Sequence, residues 1–182
     1  YVVNGAYPYS ALSTYNYNSS TVAQDEVALK FKVPFPCRVT GGWLWGEIDE
    51  AIDIVLYDSD GSTVLTSVSL DKDIRGVDVN EITYFTFTST NLSKDVFYYL
   101  SVKPTTTTNI VLSYFDVASA AVMDACVGGQ NAHIATRVDA GAWTATTTRR
   151  PFISLLIDAF DDGVGGSGGI LVNPGLTGGM NG

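Results

Sequence analysis

Val27, Leu29, Phe31 and Val33 alternate with Ala28, Lys30 and Lys32, which is the period of a strand with one buried face. Ile52, Ile54 and Leu56 alternate in the same way with Asp53, Val55 and Tyr57. Asp58-Ser59-Asp60-Gly61 then makes a tight turn, and residues 63–70 return as its hairpin partner. Runs rich in Thr, Val, Tyr and Phe predict further strands over 38–48, 82–88, 96–103, 109–115, 133–138, 143–148 and 152–160. Turn chemistry falls between the runs at Pro34 and Pro36, Gly41-Gly42, Arg75-Gly76, Pro104, Gly128-Gly129 and Ala140-Gly141. Short strands at this spacing predict an all-β fold, an antiparallel two-sheet β-sandwich of jelly-roll-like connectivity. One Ala-rich stretch, 118–126, departs from the pattern and reads as a short helix or a long crossover loop.

Two extensions flank the predicted sandwich, dividing the chain into an arm (1–22), a domain (23–162) and a tail (163–182). The arm carries Tyr1, Tyr7, Tyr9, Tyr15 and Tyr17 among Asn, Ser and Thr, without a clear period. Tyrosine offers a broad contact area with a polar tip, so the arm suits a partner surface. The alternative is an arm folded back on its own domain. In the tail, nine of the twenty residues from Gly163 to Gly182 are glycine. Ordering such a segment costs much backbone entropy and buries little side chain in return. The apolar run Ile170-Leu171-Val172, continuing to Leu176, is tethered by this glycine segment and reads as a docking peptide. Packing on its own sandwich edge is the alternative.

The 182 residues suit one domain with extensions. Ten basic against nineteen acidic residues give a net charge of −9, which argues against nucleic acid as a partner. No run reaches the ~18 apolar residues of a membrane helix, so no membrane partner is expected. Tyr1-Val2-Val3-Asn4 lacks the basic-then-apolar pattern of a signal peptide. Cys37 and Cys126 could pair or stand as two buried free thiols, and two cysteines do not decide it.

Most candidate chemistry fails on context. Gly165-Gly166-Ser167-Gly168-Gly169 has the spacing of a nucleophile elbow but sits in a glycine linker. His133 is the one histidine, which limits any Ser-His-Asp triad or histidine metal site to that position. Asp58-Ser59-Asp60-Gly61 is explained by a turn, and Glu47, Asp49, Glu50 and Asp53 read as a solvated acidic loop, with calcium binding as the alternative. No catalytic residue, cofactor or metal site is expected. Trp43 and Trp45 lie two apart and point to one face of a strand, either into the core or outward as an aromatic platform. Trp143 is expected at an edge near Arg149 and Arg150. One aromatic pair of the 96–103 strand, which includes Tyr99, is expected to face away from the core. Trp43, Trp45, Trp143 and Tyr99 are the candidate glycan or partner contacts. Tyr7, Tyr9, Tyr15, Tyr17, Ile170, Leu171, Val172 and Leu176 are the candidate assembly contacts.

Three stretches carry a resemblance: residues 31–39 (FKVPFPCRV), residues 54–61 (IVLYDSDG) and residues 98–104 (YYLSVKP). With the glycine-rich end VNPGLTGGM (172–180), they resemble β-sandwich accessory domains of tailed-bacteriophage virions and related carbohydrate-binding-like jelly rolls. The resemblance implies a non-enzymatic virion structural protein, a capsid-decoration or fibre subunit. Its implied partners are other virion subunits, copies of itself and a host surface glycan. A glycan-binding adhesin or a subunit of an extracellular filament are the alternatives. The resemblance supplies no catalytic residue.

Overall fold

The computed structural model describes residues 12–17, 25–48, 50–71, 82–106, 110–116 and 131–160. Among these, the chain forms β1 (Leu12–Tyr17), β2 (Glu26–Lys32), β3 (Cys37–Glu47), β4 (Ile52–Tyr57), β5 (Val64–Leu70) and β6 (Ile82–Leu92). It continues with β7 (Phe97–Pro104), β8 (Ile110–Asp116), β9 (Ala132–Arg137), β10 (Thr144–Thr146), β11 (Arg149–Pro151) and β12 (Ile153–Phe160). Six strands form a front sheet in the order β10-β9-β2-β7-β4-β5. The back sheet runs β1-β8-β3-β12, with β11 beside β8 and β6 beside β3. Every strand pair is antiparallel. The chain changes sheet at most of its connections, which is the jelly-roll-like habit the sequence predicts.

The core lies between the sheets and follows the alternation in the sequence. Val27, Leu29 and Phe31 of β2, Ile52, Ile54 and Leu56 of β4, and Tyr98, Leu100 and Val102 of β7 point inward from the front. Val39 and Leu44 of β3, Leu112 of β8 and Ile153 and Leu155 of β12 meet them from the back. Cys37 is buried in this core as a free thiol, while Cys126 lies outside the described residues.

Several sequence expectations need correction. Gly41-Gly42 is not a turn but the middle of β3, beside an irregularity in the β3–β6 register between Val39 and Gly41. A side chain at Gly42 would strike the Ser154 carbonyl and come within 2.7 Å of the Phe85 ring, so glycine here makes room for close packing. The predicted strand over 143–148 is broken by a turn at Thr147-Thr148, and the chain crosses from β10 in one sheet to β11 in the other. The buried Arg150 fixes this crossing by donating from Nη1 to the carbonyls of Thr147 and Arg149, both at 3.0 Å. For part of the arm the alternative reading holds, an arm folded back on its own domain: β1 pairs with β8, Tyr15 opposite Leu112 and Tyr17 opposite Ile110. The outer edge of β8 presents backbone donors and acceptors that a paired strand satisfies. Tyr15 and Tyr17 therefore sit in the sandwich. Tyr7, Tyr9, the stretch 118–126 and the whole tail, with Ile170, Leu171, Val172 and Leu176, lie outside the described residues.

Leu100 stands at the centre of the front sheet, fully buried and paired with Leu29 on one side and Leu56 on the other. Leu100→Ala is expected to cost about 2–5 kcal/mol of unfolding free energy, read from urea denaturation. A loss under about 1 kcal/mol would mean that the two sheets are not packed as described.

Candidate functional site

The outer face of the front sheet is built from the residues that alternate with the core. On β2 these are Glu26, Ala28, Lys30 and Lys32; on β7, Phe97, Tyr99, Ser101 and Lys103; on β4, Asp53, Val55 and Tyr57. The registers place Ala28 opposite Ser101 and Ala135, and Lys30 opposite Tyr99 and His133. Ala28 and Ala135 leave space above the sheet, and that space is filled by an ionic cluster.

Glu26 is buried at the centre of the cluster. Its Oε1 accepts from Arg137 Nε at 2.9 Å and from Arg137 Nη2. Its Oε2 accepts from Ser101 Oγ at 2.7 Å and from the Tyr57 hydroxyl at 3.1 Å. Arg137 Nη1 and Trp143 Nε1 both donate to the Gly61 carbonyl, at 3.1 and 2.8 Å. The guanidinium lies 4.5 Å from the Trp143 ring centre and 4.8 Å from that of Tyr57, and Trp143 stacks on Tyr99 at 5.0 Å. Gly61 has φ +69 and lies close beneath the indole, within 2.6 Å of any added Cβ, so this turn and Trp143 together close the cluster.

Each carboxylate oxygen of Glu26 is already saturated by donors, leaving no lone pair for substrate. The arrangement is a staple across β2, β4, β7 and β9, not a catalytic acid or base. Burial, reinforced by the neighbouring Glu26 charge and partly opposed by Arg137, pushes the Tyr57 phenol up to about 12. The Asp60 carboxyl is held well below the usual carboxylate range by hydrogen bonds from Thr63 and Ser62. Asp60 thus ties the 58–63 turn, as its sequence predicts.

Beyond the cluster the same face is cationic and aromatic. Lys30 Nζ sits 4.9 Å from the Phe97 ring centre and 5.2 Å from that of Tyr99, and Lys32 Nζ lies 5.4 Å from Phe97. His133 is buried here, its ring 6.1 Å from Phe97. No group of three potential metal ligands occurs among the described residues. In the acidic stretch, Asp53 accepts from Ser69 Oγ at 2.6 Å, and Asp49 lies outside the described residues.

The outer face of the back sheet is different. Leu44 points inward, so Trp43 and Trp45 point away from the core, half-buried. Trp43 lies opposite Tyr84 of β6 and Ser154 of β12, and Trp45 opposite Ile82. Leu156 follows at Gly41. Tyr84 is 68% exposed, Ile82 52% and Leu156 40%. Trp45 meets Phe152 edge-on at 5.0 Å. Trp45 Nε1 and Ser154 Oγ are closed to solvent and have no hydrogen-bond partner among the described residues.

The four aromatic candidates of the sequence are therefore not one platform. Trp43 and Trp45 are on the back of the sandwich, Trp143 and Tyr99 on the front, where they pack on each other and leave little ring face open. Trp143 lies beside the short edge strand β10, as expected, and the cation over its ring is Arg137. Sequence reading missed Glu26 and Arg137, which are 111 positions apart, and missed Tyr84, Ile82 and Leu156 on the exposed face. The alternation of Tyr84 with Phe85 was the available signal for the last group. No protein-family model matches the chain, and no curated protein matches it.

Two outcomes follow. Arg137→Ala strips a buried carboxylate of its counter-charge and is expected to cost about 3–5 kcal/mol, measured by denaturant unfolding followed through tryptophan fluorescence. A fully stable Arg137→Ala protein would mean that the pair is solvated. The Tyr57 phenol, with its pKa raised in the fold from 10.0 to about 12, contributes stability in full below pH 10 and loses it as the pH rises through 12. Tyr57→Phe is expected to flatten the stability profile across that alkaline window, whatever it costs at neutral pH. An unchanged alkaline limb would place Tyr57 in solvent.

Proposed function

We propose that this chain is a non-enzymatic structural subunit of a larger assembly, of the virion-decoration or fibre kind that its sequence resembles. The observation that carries the reading is the outer face of the back sheet, where Trp43, Trp45, Ile82, Tyr84 and Leu156 form an uncharged, largely aromatic surface on a chain of net charge −9. Contiguous exposed apolar surface on a soluble fold marks a contact site. Such a surface, rich in Trp and Tyr, has the composition of an interface centre. The front face supports the same reading from the other side, because its one buried carboxylate is saturated and offers no acid–base chemistry. The assembly would be a particle or fibre, outside a cell.

A second reading, a glycan-binding adhesin, draws on one feature of the same face. Trp43 and Tyr84 are cross-strand neighbours and both are at least partly open. Paired rings of this kind can stack on a sugar.

Sedimentation velocity over a wide concentration range separates the two. Self-association weakened at least tenfold by Leu156→Glu supports the structural subunit. A monomer at every concentration that binds members of a glycan array, and loses them on Trp43→Ala, would replace it with the adhesin.

A further inference from the structure

Strand β6 is the outermost strand of the back sheet beyond β3, and among the described strands it pairs with β3 alone. It is 11 residues long, with the sequence ITYFTFTSTNL. It carries no charge, no proline and no glycine. Neighbouring β5, the edge of the front sheet on the same flank, reads VLTSVSL and is also uncharged. The chain has ten basic and nineteen acidic residues, and none falls on either strand. Folded proteins ordinarily guard an open edge with charge, proline or a short strand. Among the described residues neither strand carries that guard, and exposed apolar side chains lie on both: Val64, 53% exposed, on β5, and Ile82 and Tyr84 on β6.

The backbone of β6 is aimed for pairing. The Trp45 amide donates to the Phe152 carbonyl at 2.9 Å, on the β12 side of β3. Leu44, one residue away, therefore turns its amide and carbonyl toward β6, where it lies opposite Thr83. Thr83 faces β3, so Ile82, Tyr84 and Thr86 direct their amides and carbonyls to the open edge.

We propose that β6 is an association strand, and that its occupant is the β6 of a second copy of this chain. The two strands run antiparallel about a two-fold axis at Tyr84, joining two back sheets into one. Tyr84 then stands opposite its twin, and Ile82 opposite Thr86 of the other copy. Cross-strand aromatic pairs stabilise such a junction, and a two-fold axis makes the contact self-complementary. Charge selects the occupant. Two chains of net charge −9 repel across most of their surfaces and meet at least cost where neither carries charge. A strongly charged partner would find no charge on β5 or β6 to steer it. This inference rests on the structural-subunit reading and adds the partner and the mode of contact.

The test uses the full-length chain in sedimentation equilibrium, with amide hydrogen exchange at high and low protein concentration. Thr86→Pro removes an edge-facing amide that makes no bond within the sheet, so the fold is expected to survive. The expected result is a dimer whose dissociation constant rises at least tenfold in Thr86→Pro with an unchanged circular-dichroism melt. In the wild type, the Tyr84 and Thr86 amides are protected at high concentration and exchange on dilution. A folded Thr86→Pro protein that dimerises like the wild type overturns the pairing, as does concentration-independent exchange at Tyr84 and Thr86. Dissociation of the dimer by an excess of a synthetic peptide of residues 163–182 would make the tail the occupant instead, and also overturns it. If Leu156→Glu breaks association and Thr86→Pro does not, the strand pairing falls while the structural subunit stands. A wild-type monomer at every concentration fells both.

Discussion

The carboxylate of Glu26 is the point on which the front sheet turns. A buried charge is tolerated only when it is paired and its lone pairs are filled. Here the filling comes from four places: β9 through Arg137, β7 through Ser101, β4 through Tyr57, and indirectly the 58–63 turn through Gly61. Among the described residues no second layer of strands covers the outside of this sheet, and the cluster supplies a substitute. Trp143 and the turn cover it, Arg137 spans it, and Ala28 and Ala135 leave the room it needs. Buried ion pairs are often no more stabilising than well-packed apolar side chains of similar volume. What this one fixes is the position of Trp143 and of the turn, and so the shape of the whole outer front.

The sandwich thus has two faces of opposite character. The front is finished: its aromatic rings are stacked on each other or capped by lysine and arginine, and its one buried acid is satisfied. The back is unfinished: rings and aliphatic side chains lie open, and among the described residues two buried polar atoms there, Trp45 Nε1 and Ser154 Oγ, lack partners. A protein that only needed to stay soluble would gain from charge on both. The asymmetry leaves one face closed on itself and the other open, and divides the predicted aromatic candidates between two different environments.

The strands were legible in the sequence because period-2 alternation is a local signal. Val27 to Val33 and Ile52 to Tyr57 fall where the pattern puts them, and the 58–61 turn carries its own chemistry in Asp60. The errors have local causes too. Gly41-Gly42 looks like a turn, yet the glycines serve the close approach of Phe85 and Ser154, contacts made by residues over 40 and 110 positions away. Thr144 to Thr148 has uniform strand propensity, and only the demand of Arg150 for carbonyls shows where it breaks. The site was harder still. Nothing in the neighbourhood of Glu26 announces Arg137, because charge pairing across a sheet is set by register and not by spacing along the chain. Whether Trp43 faced the core or solvent could not be read from Trp43 itself. The answer lay in Leu44, through its packing against the opposite sheet.

The distance between Glu26 and Arg137 along the chain also has a temporal meaning. During synthesis β2 emerges early with a carboxylate committed to burial, and its counter-ion follows 111 residues later. At typical elongation rates that interval lasts roughly 5–20 s. Within it β4, β5, β6 and β7 are made in turn, and all four precede the lock that closes the front sheet. The nascent domain must therefore wait in an open form whose uncharged strands are its most adhesive parts, so the order of residues along the chain makes crowding of neighbouring nascent chains a hazard of its own making.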